Sequence, residues 1–167
     1  MTRTRIDAST VLRPVTIADY DFMADLYAST REEEMKLVDW TDEQKRAFLR
    51  SQFDAQSAHY DKHYTAAERW IIERDGDRIG RLFLHYLPND LRIVDIALIP
   101  SARGQGTGGA IVRQLLEDAG AGNLPVSIHV EINNPALRLY ERLGFRPINE
   151  HGMYLLMEWS PNGGAGG

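Results

Sequence analysis

The feature that most constrains this sequence is an abrupt change from strand to helix across a short glycine-rich segment. Residues 91–99 (LRIVDIALI) are rich in β-branched side chains and predict a strand, which Pro100 ends. Residues 103–109 (RGQGTGG) contain four glycines, and residues 110–119 place apolar side chains at helical spacing. The chain is therefore expected to leave a strand, turn sharply and enter a helix.

Such a turn favours the binding of an anion. The first N–H groups of a helix have no intrahelical partner, and together with the helix dipole they attract negative charge. Glycines remove side chains that would block close approach, while an arginine adds a fixed charge suited to phosphate. We therefore predict a pyrophosphate-binding loop that consists of Arg103, Gly104, Gln105, Gly106, Thr107, Gly108 and Gly109.

Two other phosphate motifs compete for this loop. Gly104, Gly106 and Gly109 satisfy the G-x-G-x-x-G pattern of dinucleotide-binding enzymes. That pattern needs a parallel βαβ unit and an acidic residue about 20 positions later, and Glu131 comes too late. A P-loop is excluded because no Gly-Lys-Ser/Thr occurs. A nucleotide-dependent oxidoreductase remains a rival, and the binding of NADH would test it.

Upstream of the loop, the sequence predicts one strand, two helices and three further strands. Residues 10–15 predict the first strand, and Thr16 is a plausible N-cap with Asp19 three positions later. Residues 16–64 predict a helical hairpin whose second helix begins at Thr41 or Asp42. The three strands are expected at residues 69–74, 78–87 and 91–99, and Asp75-Gly76 forms the turn between the first two.

Downstream, residues 126–131 predict a strand and residues 135–143 a helix, which Gly144 ends. Two final strands are expected at residues 145–148 and 153–159. The whole pattern predicts a single α/β domain (α+β mixed sheet) with the order β-αα-βββ-α-β-α-ββ. We place the domain at residues 9–159, between flexible ends at residues 1–8 and 160–167.

Composition narrows the functional classes. The chain has 167 residues, no cysteine and a formal net charge of −5, so we expect no disulfide, no cysteine nucleophile and no general nucleic-acid binding. No run of 18 apolar residues predicts a membrane span, and the first ten residues lack the apolar core of a secretory signal. These observations favour a cytoplasmic protein.

Two motifs together resemble the GNAT superfamily of coenzyme A-dependent N-acetyltransferases. Residues 103–108 (RGQGTG) match the family pattern Arg/Gln-x-x-Gly-x-Gly/Ala. Residues 133–145 (NNPALRLYERLGF) resemble its Asn-x-x-Ala-x-x-x-Tyr-x-x-x-Gly-Phe element. Both motifs occur in the family's order, and the resemblance covers roughly residues 10 to 159.

The resemblance implies a fold with splayed central strands and acetyl-CoA (coenzyme A) as co-substrate. The glycine-rich loop would bind the pyrophosphate, and the backbone of Ile96, Ala97 and Leu98 would pair with the pantetheine arm. An N–H near Leu98 would stabilise the oxyanion. Asn133 would lie close to the thioester, and Tyr140 would protonate the leaving thiolate, although a packing role for Tyr140 is the alternative.

The sequence says less about the residues that bind and deprotonate the acceptor amine. An alkyl amine has a pKa near 10.4, so presenting it neutral at pH 7 costs roughly 4–5 kcal/mol, which a base, a water chain or desolvation must supply. His129 and Asp95 are the candidate bases, and Glu131 is a third; a surface histidine and a structural carboxylate are the alternatives. Glu33, Tyr60 and His63 are candidate acceptor-binding residues, and no metal site is predicted.

These observations predict an N-acetyltransferase that moves an acetyl group to an amine acceptor, a small molecule or a peptide, by direct transfer in a ternary complex. The rival from a different class is a non-catalytic acyl-CoA-binding module, which would keep the loop and lack a working acid and base. The protein is expected to be a monomer or a homodimer.

Overall fold

The computed structural model describes residues 3–162, and its strands form one sheet. The eight strands are β1 (Thr4–Arg5), β2 (Thr10–Pro14), β3 (Glu68–Arg74), β4 (Asp77–Leu87), β5 (Asp90–Leu98), β6 (Val126–Glu131), β7 (Arg146–His151) and β8 (Tyr154–Trp159). Their order in the sheet is β1-β2-β3-β4-β5-β6-β8-β7. β5 and β6 are parallel, whereas β6 and β8 are antiparallel. The mixed sheet predicted from the sequence is confirmed.

The helices lie in two stretches of the chain. They are α1 (Tyr20–Ser29), α2 (Glu32–Met35), α3 (Asp42–His63), α4 (Thr107–Ala121) and α5 (Leu137–Arg142). Thr41 caps α3 as predicted, because its hydroxyl accepts from the N–H of Gln44 and the Gln44 side chain accepts from the N–H of Thr41.

The chain forms two compact units. The first comprises the part up to Leu82 together with Ile96–Gln105, and the second comprises Phe83–Asp95 together with the part from Gly106 onward. In the first unit, α1 and α3 bury a small apolar cluster of Ala24, Tyr27, Leu49 and Phe53. In the second unit, one face of α4 is buried, and the core residues there are Leu91, Ile93, Ile111, Val112, Leu115, Leu116, Val126, Ile128, Val130, Phe145 and Met157.

A buried carboxylate accepts several hydrogen bonds near the start of the first unit. Asp19 is 1% exposed and accepts two hydrogen bonds of 2.8 Å from Arg13 and one of 3.2 Å from Arg78. It also accepts from the N–H of Thr16, the residue predicted as the N-cap of this turn. These contacts, with the Arg13 hydrogen bond as the largest cause, hold the pKa of Asp19 far below its usual value.

Several element bounds differ from the sequence-based prediction for local reasons. α4 begins at Thr107 rather than residue 110, because the carbonyl of Gly106 already accepts from the N–H of Ala110. α5 begins at Leu137 rather than residue 135, because the Asn134 side chain accepts from the N–H of Ala136 and holds a turn there. α2 is an additional short helix inside the predicted two-helix hairpin.

The chain ends also differ in part from expectation. Within the predicted flexible stretch 1–8, Thr4 and Arg5 pair with β2, and Arg3 forms an ion pair of 3.1 Å with Glu73. Residues 1–2, and residues 163–167 of the predicted tail, lie outside the described residues. The domain limits 9–159 remain a prediction.

Candidate active site

The glycine-rich loop has the left-handed backbone that makes glycine necessary at two positions. Gly104 and Gly106 have φ angles of +74° and +81°, and a Cβ at either position would meet no atom within 4 Å. Backbone conformation, not lack of space, therefore selects glycine here. Gly106 is the N-cap of α4, so Thr107, Gly108 and Gly109 form the first turn of that helix, whose N-terminus attracts negative charge.

The two long side chains of the loop brace its backbone. Arg103 donates from Nε to the carbonyl of Leu98 at 2.9 Å and from Nη2 to Ser29 Oγ at 3.1 Å. Gln105 donates to the carbonyl of Ser101 at 3.0 Å and accepts from Arg74 at 2.7 Å. Both side chains were predicted as ligands of phosphate, and here they also fix the shape of the turn.

Gly109 lies close to α5, the helix that carries Tyr140. A Cβ at this position would lie 3.4 Å from Leu139 Cδ1 and 3.5 Å from the guanidinium of Arg113. These are ordinary contact distances to side chains, so packing does not require glycine at this position.

The parallel ladder between β5 and β6 is short. It pairs Leu91 with Val126, Arg92 with Ser127 and Ile93 with Ile128. β5 continues to Leu98 and β6 to Glu131, where β6 stays paired with β8. The ladder between β5 and β6 therefore ends at Ile93 and Ile128, and the splay of the central strands beyond this pair stays a prediction.

Gly80 is a residue that sequence reasoning missed. A Cβ at this buried position of β4 would overlap the carbonyl oxygen of Ala97 and approach Leu98 Cδ2 to 2.8 Å. The N–H of Ile99 donates to the carbonyl of Ile79 at 2.8 Å beside this contact. The signal available in the sequence was a lone glycine inside an apolar strand, a pattern that marks close backbone approach.

Tyr140 is buried in the second unit and lies near a carboxylate. It is 5% exposed, and its ring packs edge-on against Phe145 with centroids 5.8 Å apart. Burial raises the pKa of Tyr140 to about 12, and the charge of Asp95 adds to this effect. The phenol is thus protonated at neutral pH and carries a proton that it can donate. The packing role and the donor role are both compatible with this geometry.

His129 lies on the side of β6 opposite its buried neighbours, as predicted. Ile128 and Val130 are buried, whereas His129 is exposed and its Nδ1 lies 3.4 Å from Nη1 of Arg92. Partial burial lowers the pKa of His129, and the charges of Arg92 and His151 lower it further. Arg92 was not singled out from the sequence, because only the strand register places it beside this histidine.

The remaining candidates lie on separate elements. Asn133 is exposed in the turn that follows β6, and Glu131 is the last residue of that strand. Glu33 on α2 forms an exposed ion pair of 2.8 Å with Lys36. Tyr60 and His63 lie near the end of α3, where a cluster of rings includes His59, Tyr60, His63 and Tyr64.

Residues 3–162 contain no group of three or more His, Cys, Asp or Glu placed to hold a metal ion. Within the same part of the chain, every helix is too short or too polar to cross a membrane.

Several known proteins are similar to this chain in sequence or in fold. A proposed [ribosomal protein bS18]-alanine N-acetyltransferase of Bacillus subtilis (strain 168) is 27% identical over 139 residues, which are 81% of this chain and 80% of that protein. The PaiA N-acetyltransferase of Thermoplasma acidophilum, solved with coenzyme A, has a TM-score of 0.69 at 14% identity and covers 91% of this chain and 99% of its own. A spermidine N-acetyltransferase of Vibrio cholerae, solved with coenzyme A and spermine, has a TM-score of 0.63 at 20% identity and covers 93% and 98%.

A comparison with protein families identifies the family of this chain. The acetyltransferase (GNAT) family matches residues 25–145, which include the glycine-rich loop and the segment around Tyr140. The resemblance inferred from the two motifs is confirmed, and the chain belongs to the acetyltransferase (GNAT) family of enzymes.

Proposed function

We propose that this protein transfers an acetyl group from acetyl-CoA to a primary amine by direct attack in a ternary complex. The observation that carries the proposal is the left-handed Gly106 at the start of α4, which forms a turn into a helix N-terminus that suits an anion. The loop of Arg103 to Gly109 would hold the pyrophosphate. The family match includes this loop.

The pantetheine arm is assigned to the strand β5. Its backbone at Ile96, Ala97 and Leu98 follows the last residue pair with β6, so extended substrate atoms can complete the ladder. An N–H near Leu98 would receive the oxyanion, and Asn133 would contact the arm. Acetyl-CoA supplies an activated acyl group, so no residue has to form a covalent intermediate.

The proton balance of the reaction requires one donor and one acceptor. As the amine nitrogen bonds to the acetyl carbon, the C–S bond breaks and Tyr140 donates its phenolic proton to the sulfur. The amine loses one proton to Asp95, to His129 or to water, and the Tyr140 phenolate regains one from solvent. Asp95 contributes to the raised pKa of Tyr140, which places the two groups within electrostatic reach of each other.

The acceptor is proposed to be an amine of the kinds that the similar proteins modify. Those proteins are named for the alanine of a ribosomal protein and for spermidine. Glu33, Tyr60 and His63 remain candidate acceptor contacts, and the cytoplasm remains the proposed compartment.

Replacing Tyr140 tests the enzyme against a binding module. We expect Tyr140→Phe to lower kcat by about 100-fold or more, since loss of a general acid typically costs that much. The dissociation constant of acetyl-CoA, measured by calorimetry, should stay within about twofold. Tyr154→Phe is the matched control, because it removes an exposed hydroxyl on β8. Unchanged kcat in Tyr140→Phe would remove Tyr140 from the chemistry.

Competition between ligands tests the loop. Acetyl-CoA and coenzyme A should displace each other, and NADH should displace neither. Displacement of acetyl-CoA by NADH would favour the oxidoreductase.

A further inference from the structure

A chain of polar side chains runs along one face of β5 and β6. The register pairs Arg92 with Ser127, and His129 follows two residues later on the same face. Arg92 Nε donates to Ser127 Oγ at 2.7 Å, and Ser127 Oγ donates to Asp90 Oδ2 at 2.5 Å. Arg92 Nη1 then lies 3.4 Å from His129 Nδ1. The chain begins at a carboxylate and ends at an imidazole.

This arrangement fixes the orientation of the guanidinium. Ser127 is 2% exposed, so its hydroxyl is committed to Asp90 and Arg92 and is sheltered from competing water. A guanidinium held at Nε has its plane set, and its Nη1 is then directed at the histidine. Arg92 is therefore less free to leave His129 than an exposed arginine would be.

The contact with Arg92 selects one form of the imidazole. A guanidinium only donates, so its approach to Nδ1 is favourable when Nδ1 carries a lone pair. A neutral imidazole with this arrangement carries its proton on Nε2. Protonating Nδ1 would place two N–H groups and two positive charges against each other.

The other charges facing His129 do not reverse this preference. Arg92 on β5 and His151 on β7 both lower the pKa of His129, and partial dehydration lowers it further. The nearby acidic residues lie at other positions of the strands: Glu131 is the last residue of β6, and Glu158 on β8 pairs with Ser127. Asp90 is bonded to Ser127. His129 is thus neutral at physiological pH.

We infer that Arg92 is a positioning residue that holds His129 as a neutral imidazole with its Nε2–H directed outward as a hydrogen-bond donor. His129 is the first residue of β6 beyond its pairs with β5. The acceptor role that follows rests on the proposed function, in which His129 is a candidate contact of the amine. His129 donates to an oxygen of the acceptor instead of removing a proton from its amine.

This role identifies the chemical class of the acceptor. A protonated polyamine has no atom that can accept a hydrogen bond apart from the amine that reacts. A peptide N-terminus carries a carbonyl oxygen next to its amine. Of the two acceptor kinds named for the similar proteins, this role therefore favours a peptide with a free α-amino group over spermidine, and the proton of that amine leaves to Asp95 or to water.

Nitrogen spectra of the imidazoles test the positioning role without any activity. Two-dimensional long-range ¹H–¹⁵N spectra of the labelled protein should show His129 protonated at Nε2, with a pKa below 6.5; His129→Gln assigns the signal. In Arg92→Gln we expect the pKa to rise toward 6.5 and the Nδ1–H form to appear. Ser127→Ala should change the spectrum in the same direction, whereas Arg142→Gln, an exposed arginine on α5, should leave it unchanged.

One further variant separates charge from hydrogen bonding. His151→Gln removes only a neighbouring charge, so it should raise the pKa of His129 and leave the tautomer in place. The inference would be overturned if His129 of the wild-type protein were protonated at Nδ1. It would also be overturned if Arg92→Gln kept a natively folded protein but changed neither the tautomer nor the pKa of His129.

Turnover with a peptide and with spermidine tests the acceptor role. His129→Gln keeps an N–H donor, so we expect kcat for an alanine-initiated peptide within about tenfold of wild type. His129→Ala should raise the KM for the peptide at least tenfold more than it raises the KM for spermidine. A large loss of kcat in both variants, with loss of the acid limb of the pH profile, would instead make His129 the base. If no amine releases thiol, the proposed function fails and the acceptor role falls with it, while the spectra still decide the positioning role.

Discussion

At the scale of single residues, Tyr140 has a pKa that is poorly matched to a simple proton transfer. Burial raises the pKa of Tyr140 to about 12, whereas an ordinary thiol has a pKa near 8.5. Full transfer to a free thiolate would then be unfavourable by roughly 5 kcal/mol, at about 1.36 kcal/mol per pKa unit. Tyr140 therefore helps by donating a strong hydrogen bond as the C–S bond weakens, and the proton moves only when charge has developed on sulfur.

Asp19 gives a prediction about stability at this same scale. Its carboxylate is buried and bonded to Arg13 and Arg78, so Asp19→Asn should lower the free energy of unfolding at pH 7 by about 3 kcal/mol. Because the folded pKa lies below the unfolded value of about 3.8, the stabilisation is present above that value and is lost as the pH falls below it. Urea unfolding at pH 7 and at pH 3 measures the difference.

The control for Asp19 lies two residues away. Asp21 is mostly exposed and its contact with Arg50 is 3.4 Å long, so Asp21→Asn should change stability by less than about 0.5 kcal/mol. Equal effects of the two substitutions, or a gap between Asp19→Asn and wild type that widens in acid, would contradict the assignment of the buried carboxylate.

At the scale of secondary-structure elements, the start of α4 depends on a backbone conformation that L-residues avoid. Gly106→Ala should cost about 1–2 kcal/mol in stability, because φ is +81° at this position. It should also weaken acetyl-CoA binding at least tenfold, since the relaxed backbone redirects the first-turn N–H groups. Calorimetry measures the binding, and denaturation measures the stability.

Gly152 offers a control with similar strain in another place. Its φ is +58°, a Cβ there would meet nothing within 4 Å, and it lies in the turn between β7 and β8. Gly152→Ala should lose comparable stability and keep acetyl-CoA binding unchanged. If both variants bound acetyl-CoA equally well, the N-terminus of α4 would not be part of the coenzyme site.

The approach of β4 to β5 gives a second prediction for an element. Gly80→Ala forces a Cβ against the carbonyl of Ala97, so either strand has to shift; we expect a loss of about 1–3 kcal/mol and weaker acetyl-CoA binding. Gly122 at the end of α4 has its nearest neighbour at 3.7 Å, and Gly122→Ala should be tolerated. Native stability and native binding in Gly80→Ala would show that β5 does not need this approach.

The elements also show which parts of the fold a sequence can predict. Strands such as residues 69–74 and 126–131 were predictable because apolar side chains alternate or cluster over them, and Asp75-Gly76 was a clear turn because both residues adopt positive φ. β1 was missed because two residues carry no periodicity. The start of α4 was placed late, since glycines disfavour helices and nothing local reveals that Gly106 begins one.

At the scale of the whole molecule, the sequence offers candidate site residues where a motif marks them, but not where only the pairing of strands brings residues together. The loop of Arg103 to Gly109 was proposed from its glycines and arginine, and Tyr140 from the resemblance to the family; both roles stay predictions. Arg92 became visible only when β5 was paired with β6, because residues 35 and more positions apart share no sequence pattern. Gly80 required the same knowledge of neighbouring strands.

The central claim for the whole molecule is amine-dependent cleavage of acetyl-CoA. The most direct measurement is the release of free thiol from acetyl-CoA in the presence of an alanine-initiated peptide, spermidine or a free amino acid, with the product identified by mass spectrometry. We predict thiol release that depends on the amine, an N-acetylated peptide as product, and loss of both in Tyr140→Phe. Bound acetyl-CoA with no thiol released above the uncatalysed rate for any amine would contradict the account.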